Sequence, residues 1–330
     1  MRVVMDHELE GAEPARGLPP TDATQKSVAI LLATYNGAAF LAEQLDSIEW
    51  QTHRNWRVYA SDDGSSDGTH AILVAYRERW GADRLKISHG PRCGHAANFL
   101  SLVQDAAVEA DYYAFCDQDD VWLEDKLERA IRSIAGVGKE KPALYGSRTE
   151  LIDSEGLSLG LSMFYRRQPS LKNALVQSLA GGNTMVFNNE TRLCLKLIPT
   201  TQDVITHDWA TYLLVTACDG LVIYDATPSV KYRQHSNNII GSNNTFSDRL
   251  LRMVWLIRGR FVTYSENNLA LVAHASSKFP EQNLLAIADF QKMRNEPLFV
   301  RLTTFKKSGL YRQTVFGSLG LWVAVLLNKI

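Results

Sequence analysis

The chain has 330 residues, 45% apolar and 22% charged, a composition that folds and is too rich in apolar types for disorder. Lysine plus arginine is 35 and aspartate plus glutamate is 36, a formal charge of −1 that lacks the basic excess of proteins built to hold nucleic-acid backbones. The length exceeds the roughly 100–200 residues of one domain, so one large domain with an appendage, or two domains, is expected.

Cys93, Cys116, Cys194 and Cys218 form no CxxC pair, which argues against a zinc ribbon and suits a reducing compartment. The first residues carry Asp6, Glu8, Glu10, Glu13 and Asp22 and no apolar signal core, so the cytoplasm is the expected location.

Residues 1–26, with Pro14, Pro19 and Pro20, read as a loose arm. Residues 27–33, SVAILLA, form a continuous apolar run, the pattern of a buried parallel strand. Thr34-Tyr-Asn-Gly37 breaks it, and Phe40, Leu41, Leu45 and Ile48 then fall on one helical face. The alternation continues with a strand over 56–60, a helix over 69–80, a strand over 85–88 and a helix over 98–107. A strand over 112–116 ends in Asp117-Gln-Asp-Asp120, and a helix over about 123–135 follows. Such alternation predicts βαβ units and a mostly parallel sheet, with ligands beyond the carboxyl ends of the strands. The polar loops at Thr34, Asp62 and Asp117 all belong at that edge.

The second half changes character. Strands are expected over 143–152, 183–187 and 221–224, an extended segment over 229–233, a turn at 153–156 and a helix over 209–217. From about 246 onward the chain reads as amphipathic helices. Residues 315–327 are apolar, short of the ~20 residues that cross a membrane.

Asp117, Asp119 and Asp120 repel one another unless a cation such as Mg²⁺ or Mn²⁺ joins carboxylates and substrate phosphates. The alternative is a solvated turn in which Asp120 caps the next helix. Asp62 and Asp63 can accept the imide N–H of a pyrimidine, or simply form an Asx-turn. Asp208 can be a general base for an acceptor hydroxyl, or a charge complementing a helix dipole. His235 can ligate a metal or stay solvated, and Arg233 can pair with phosphate through its planar fork.

Taken in order, VAILLATYNGAAFLAEQLDSI, WRVYASDDGSSDGT, FCDQDDVWLEDKL, GGNTMVFN, HDWATYLLV and SVKYRQHSNN resemble the inverting glycosyltransferases of family 2. The CDQDDVW block and the YRQHSNN ending look most like bacterial rhamnosyltransferases. The resemblance covers roughly residues 27–240 and implies an α/β GT-A fold with a C-terminal helical extension. It divides the chain into an arm (1–26), a catalytic domain (27–240, donor half to about 135, acceptor half from 136) and a helical region (241–330). By position, Thr34, Tyr35, Asn36, Asp62, Asp63, Asp117, Gln118 and Arg233 would bind the nucleotide sugar. Asp117 and Asp119 would form the DxD motif and, with His235, hold a divalent metal. Asp208 matches the catalytic base, although the usual Glu-Asp pair reads His207-Asp208 here. The Gln-x-x-Arg-Trp motif of processive synthases is absent, which implies addition of a single sugar.

The expected partners are a dTDP- or UDP-sugar donor and a glycan or lipid-linked acceptor. The expected activity is a single, metal-dependent transfer, with rhamnose from dTDP-rhamnose as one donor, into cell-surface polysaccharide. Two other readings stand beside it: a non-catalytic nucleotide-sugar binder of the same pathway, and a nucleotidyltransferase. The second lacks its Gly-rich, Lys/Arg-bearing phosphate loop, because Thr34-Tyr-Asn-Gly37 offers one glycine and no base. Trp255, Ile257, Arg258, Arg260 and the apolar 315–327 run point to C-terminal helices that touch the inner face of the cell membrane. The alternative is that they pack on the catalytic domain or on a second copy.

Overall fold

A computed structural model describes residues 25–138, 140–235 and 259–330. The arm's residues 1–24 lie outside that range, as do Trp255, Ile257 and Arg258. The chain runs β1 (Val28–Thr34), α1 (Leu41–Glu49), β2 (Trp56–Asp62), α2 (Thr69–Trp80), β3 (Leu85–His89) and α3 (His95–Gln104). It continues β4 (Tyr112–Cys116), β5 (Val121–Trp122), α4 (Lys126–Ile134), β6 (Ala143–Ile152) and β7 (Ser158–Leu161). Then come α5 (Leu171–Ala174), β8 (Val186–Asn188), α6 (Asn189–Leu195), α7 (His207–Ala217) and β9 (Leu221–Arg233). The C-terminal helices are α8 (Arg260–His274), α9 (Glu281–Asn295), α10 (Leu298–Ser308) and α11 (Val315–Leu326).

One sheet has the order β3-β2-β1-β4-β8-β6-β9-β5, with β7 paired to β6. The first four strands are parallel, as the alternation predicts. The acceptor half is mixed: β8 is antiparallel to both β4 and β6, while β9 is parallel to β6. Two antiparallel steps return β6 and β9 to the direction of β4, so their carboxyl ends share its edge. The two extended pieces expected at 221–224 and 229–233 are a single strand. The register shifts between Ser147 and Thr149 of its neighbour, so the stretch around Pro228 bulges out of the ladder.

The alternation of β1 splits its side chains between two cores. Val28, Ile30 and Leu32 pack with Leu41, Leu45 and Ile48 of α1 and with Leu127 and Ile131 of α4. Ala29 and Leu31 belong to the other core, with Phe99 of α3 and Tyr212 and Leu213 of α7. The C-terminal helices join this second core through Leu271, Phe290, Met293, Phe305 and Leu321. No helix among the described residues is long and apolar enough to cross a membrane.

Candidate active site

Register builds the site. Thr34 ends β1 opposite Asp62 of β2, and Cys116 of β4 lies opposite Leu32, so the Asp117–Asp120 loop overhangs the same edge. Parallel helices begin where parallel strands end, which brings the first residues of α3 and α7, His95 and His207-Asp208, to this side.

The first two loops are stitched together by their own polar groups. Thr34 Oγ1 donates to Asp62 Oδ1 at 2.9 Å, and the Ser65 N–H donates to Asp62 Oδ2 at 3.0 Å. Ser65 Oγ adds a further bond to Asp62 Oδ1. Asp63 accepts the Arg92 and Gly94 N–H groups at 2.6 and 3.0 Å, fixing the loop after β3. The Asx-turn bonding is therefore present, and half-buried Asp63, with two bonds accepted against three for Asp62, keeps more acceptor capacity than its neighbour. Asn36 adopts a left-handed φ of 49° and accepts the Ser66 N–H at 2.8 Å. Gln118 grips the Tyr35 peptide from both sides, accepting its N–H at 2.8 Å and donating to its carbonyl at 2.9 Å. This leaves the Tyr35 ring 59% exposed at the rim. A Cβ on Gly37 would sit 2.2 Å from Gln118 Oε1, so the grip requires glycine there.

The acidic loop divides by burial. Asp120 is fully buried and caps no helix: it accepts the Asn183 amide at 2.6 Å and the Arg233 N–H at 3.1 Å. Asn183 in turn accepts, through its carbonyl, the Nζ of buried Lys126 at 3.0 Å. Burial pushes Asp120 well above the ordinary carboxyl range and lowers Lys126 to about 7. Asp119 turns outward and meets His235 Nε2 at 2.8 Å. Asp117 is raised to about 7, first by burial and then by the charges of Asp119 and Asp208, with Lys126 opposing.

The expected metal set of Asp117, Asp119 and His235 comes together only in part. Asp119 and His235 converge, but among the described residues no three His, Cys, Asp or Glu side chains gather as a metal cluster. Asp119 would offer a divalent cation one hard carboxylate oxygen and His235 a borderline imidazole nitrogen, with water and substrate phosphates filling the rest of the shell. Beyond burial, a cation would offset the Asp119 and Asp208 charges that also raise Asp117.

Arg233, expected beside the nucleotide sugar, is engaged within the fold. It is 2% exposed, and its guanidinium donates to the carbonyls of Asp119 (3.0 Å) and Ser154 (3.1 Å) and to the Glu43 carboxylate. It also lies over the Phe40 ring at 4.7 Å, and that ring stacks with His235 at 5.1 Å. A fork so occupied ties α1, the acidic loop and the turn after β6 together.

Asp208 lies in the first turn of α7, half-buried, and accepts the Trp209 N–H at 2.7 Å. Burial raises its carboxyl above the ordinary range, while Thr206 and Trp209 hydrogen bonds and the His95 charge oppose the rise. His207 points the other way. It is buried, stacked on Phe99 at 4.0 Å, and burial holds its ring far below the usual histidine range, hence neutral. Gly182 backs directly onto this ring, where a Cβ would lie 2.2 Å from Nε2. His95, whose ring centroid is 6.0 Å from that of His207, is the site residue the sequence reading missed. Nothing in Gly94-His95-Ala96 marks it, and only the docking of α3 beside α7 brings it to Asp208.

The sequence profile of glycosyl transferase family 2 matches residues 29–186, the span that carries β1, the two acidic loops and the Asn183 buttress. Residues 29–186 of the chain belong to that family. Its relatives include the dTDP-rhamnosyl transferase RfbG of Shigella flexneri, 29% identical over 285 residues, covering 80% of this chain and 94% of that protein. Another is the UDP-Glc:alpha-D-GlcNAc-diphosphoundecaprenol beta-1,3-glucosyltransferase WfgD of Escherichia coli, 26% identical over 74% of this chain and 89% of that protein. Among solved structures, S. aureus TarS 1-349 superposes with a TM-score of 0.51 at 14% identity, covering 92% of this chain and 88% of that one. The fold of this glycosyltransferase is GT-A, as the motifs imply.

Proposed function

We propose that this glycosyltransferase moves one sugar, with inversion, from a nucleoside diphosphate to a hydroxyl of a cell-surface glycan or lipid-linked acceptor. The observation that carries the reading is the half-buried Asp208 at the sheet edge that also holds Asp117, Asp119 and His235. The donor half, 27–135, would hold the nucleotide: Tyr35 against the base, Asp63 as acceptor for a pyrimidine imide, and Thr34, Asn36, Asp62 and Gln118 as the frame that sets them. Asp117 would face the ribose, and Asp119 with His235 would hold a divalent cation. When bound, that cation supplies the positive charge that stabilises a departing diphosphate.

The acceptor half, 136–240, would bring a hydroxyl to Asp208. Its carboxylate takes the hydroxyl proton as the oxygen bonds to the anomeric carbon. The bond from that carbon to the diphosphate oxygen breaks on the opposite face, and its electron pair leaves with the nucleotide. One displacement with no covalent enzyme intermediate inverts the centre. Resemblance to a dTDP-rhamnosyl transferase makes dTDP-rhamnose the first donor to try, with UDP-sugars next. The relative whose name includes a diphosphoundecaprenol supports a lipid-linked acceptor. Four free thiols fit a reducing compartment, which supports work in the cytoplasm.

The test is Asp208→Asn assayed with dTDP-rhamnose and Mn²⁺. Transfer should fall by about 10²–10⁴-fold, the usual worth of a general base, while donor affinity stays within a factor of two or so. Undiminished turnover would remove Asp208 from the role and the displacement scheme with it.

A further inference from the structure

Helix α11 carries no charge along its length, and one face of it, Leu321, Ala324 and Val325, lies in the core. A helix apolar all round needs cover on its other face as well. That face is the stripe Val315, Leu319, Trp322 and Leu326, exposed by 76%, 56%, 41% and 51%. Helix α10 extends it. Arg301 donates to the carbonyl of Val325 at 2.8 Å, and Phe299 of the same helix is 78% exposed.

A basic fringe borders the patch. Lys306 and Lys307, both exposed, follow Phe305, whose ring meets Trp322 edge-on at 4.6 Å. At the start of α11, exposed Arg167 donates to the Arg312 carbonyl at 3.4 Å. From Pro297 to Ile330 the sequence contains no acidic residue at all.

We infer that this face rests on an anionic bilayer surface. The α11 stripe enters the boundary between headgroups and acyl chains, and Arg167, Lys306 and Lys307 face the headgroup phosphates. The charge pattern selects this occupant over a second copy of the chain. A two-fold interface would bring the same patch, and hence the same positive fringe, against itself. The helix lies in the interface and does not cross it, since twelve residues fall well below the ~20 a span requires. The face is remote in sequence from the candidate active site, and its contact with lipid rests on no step of the proposed reaction.

Flotation of the full chain with phosphatidylglycerol–phosphatidylcholine vesicles, and with phosphatidylcholine alone, tests the assignment. The protein should float with the anionic vesicles. Leu319→Glu and the pair Lys306→Glu/Lys307→Glu should each cut recovery about tenfold, the second change mimicked by high salt. Because these positions are exposed, thermal melts of the variants should match the parent, and transfer to a water-soluble acceptor should be unchanged. Equal recovery of parent and variants, or no flotation with anionic vesicles, would overturn the inference. So would a dimer in light scattering that Leu319→Glu splits, which would give the face to a second copy.

Discussion

His235 Nε2 lies 2.8 Å from Asp119 Oδ2, although the two residues are 116 positions apart in the chain. The contact joins the segment after β9 to the loop after β4. It also places a nitrogen donor beside the Asp119 carboxylate of the acidic loop. Replacing either partner should weaken Mn²⁺ binding in the presence of a nucleoside diphosphate by at least about 10–100-fold, the cost of losing even an outer-shell group of a metal site. Asp120→Asn should instead lower stability, because that side chain is a buried acceptor for Asn183 and Arg233. Titration calorimetry alongside thermal melts separates the two effects.

The pH dependence follows from Asp208. Its carboxyl is raised by burial, so the proton-accepting form fills only above the ordinary carboxylate range. The turnover rate should therefore climb with pH through an apparent value higher than that of a free aspartate, and Asp208→Asn should erase that limb. The stability effect has the opposite sign. The folded chain holds this proton more tightly than the unfolded one, so the contribution is fully present below the unfolded value and is lost as pH rises through the folded one. Denaturant melts across that interval measure it.

Arg233 should matter for the fold more than for the donor. Arg233→Met removes a buried, charged donor from the Asp119 and Ser154 carbonyls and the Glu43 carboxylate, at a cost of about 3 kcal/mol. Arg233→Lys should restore little, because an ammonium cannot span the same acceptors. Glu43→Gln should cost under about 1 kcal/mol, since that carboxylate is more than half exposed. Urea unfolding of the three variants gives the ranking.

Gly37→Ala offers a local test of the first loop. The added methyl would displace Gln118 from the Tyr35 peptide and loosen the exposed ring. Nucleotide affinity should drop about tenfold with a stability loss near 1 kcal/mol. Adding Gln118→Ala should relieve the clash without restoring affinity, because the grip on Tyr35 is gone in both. Fluorescence titration with dTDP follows the change.

Much of this protein was determined by sequence alone. The apolar run at 27–33, the helical faces after it and the polar breaks at Thr34, Asp62 and Asp117 are short-range patterns, and β-strand and helix periods are written locally. Their order places all three loops at one sheet edge, because parallel strands joined by helices have that geometry and no other simple one. The start of α3 at His95, earlier than its periodicity suggests, and the short β5, β7, α5 and α6 escaped, since segments so brief carry little period.

What only the tertiary structure decided is which polar groups are occupied by the protein itself. Asp117, Asp119 and Asp120 look alike in the chain, yet Asp120 is sealed against Asn183 and Arg233, Asp119 meets His235, and Asp117 is left protonated more readily than either position would suggest. Nothing in the sequence around Arg233 shows that its fork is engaged by the Asp119 and Ser154 carbonyls. His95 becomes part of the site only because α3 docks beside α7. The physical reason is common to all of them. Burial and hydrogen-bond satisfaction are properties of neighbours brought together by packing, and a charged side chain's role depends on what remains of its bonding capacity after the fold has used its share.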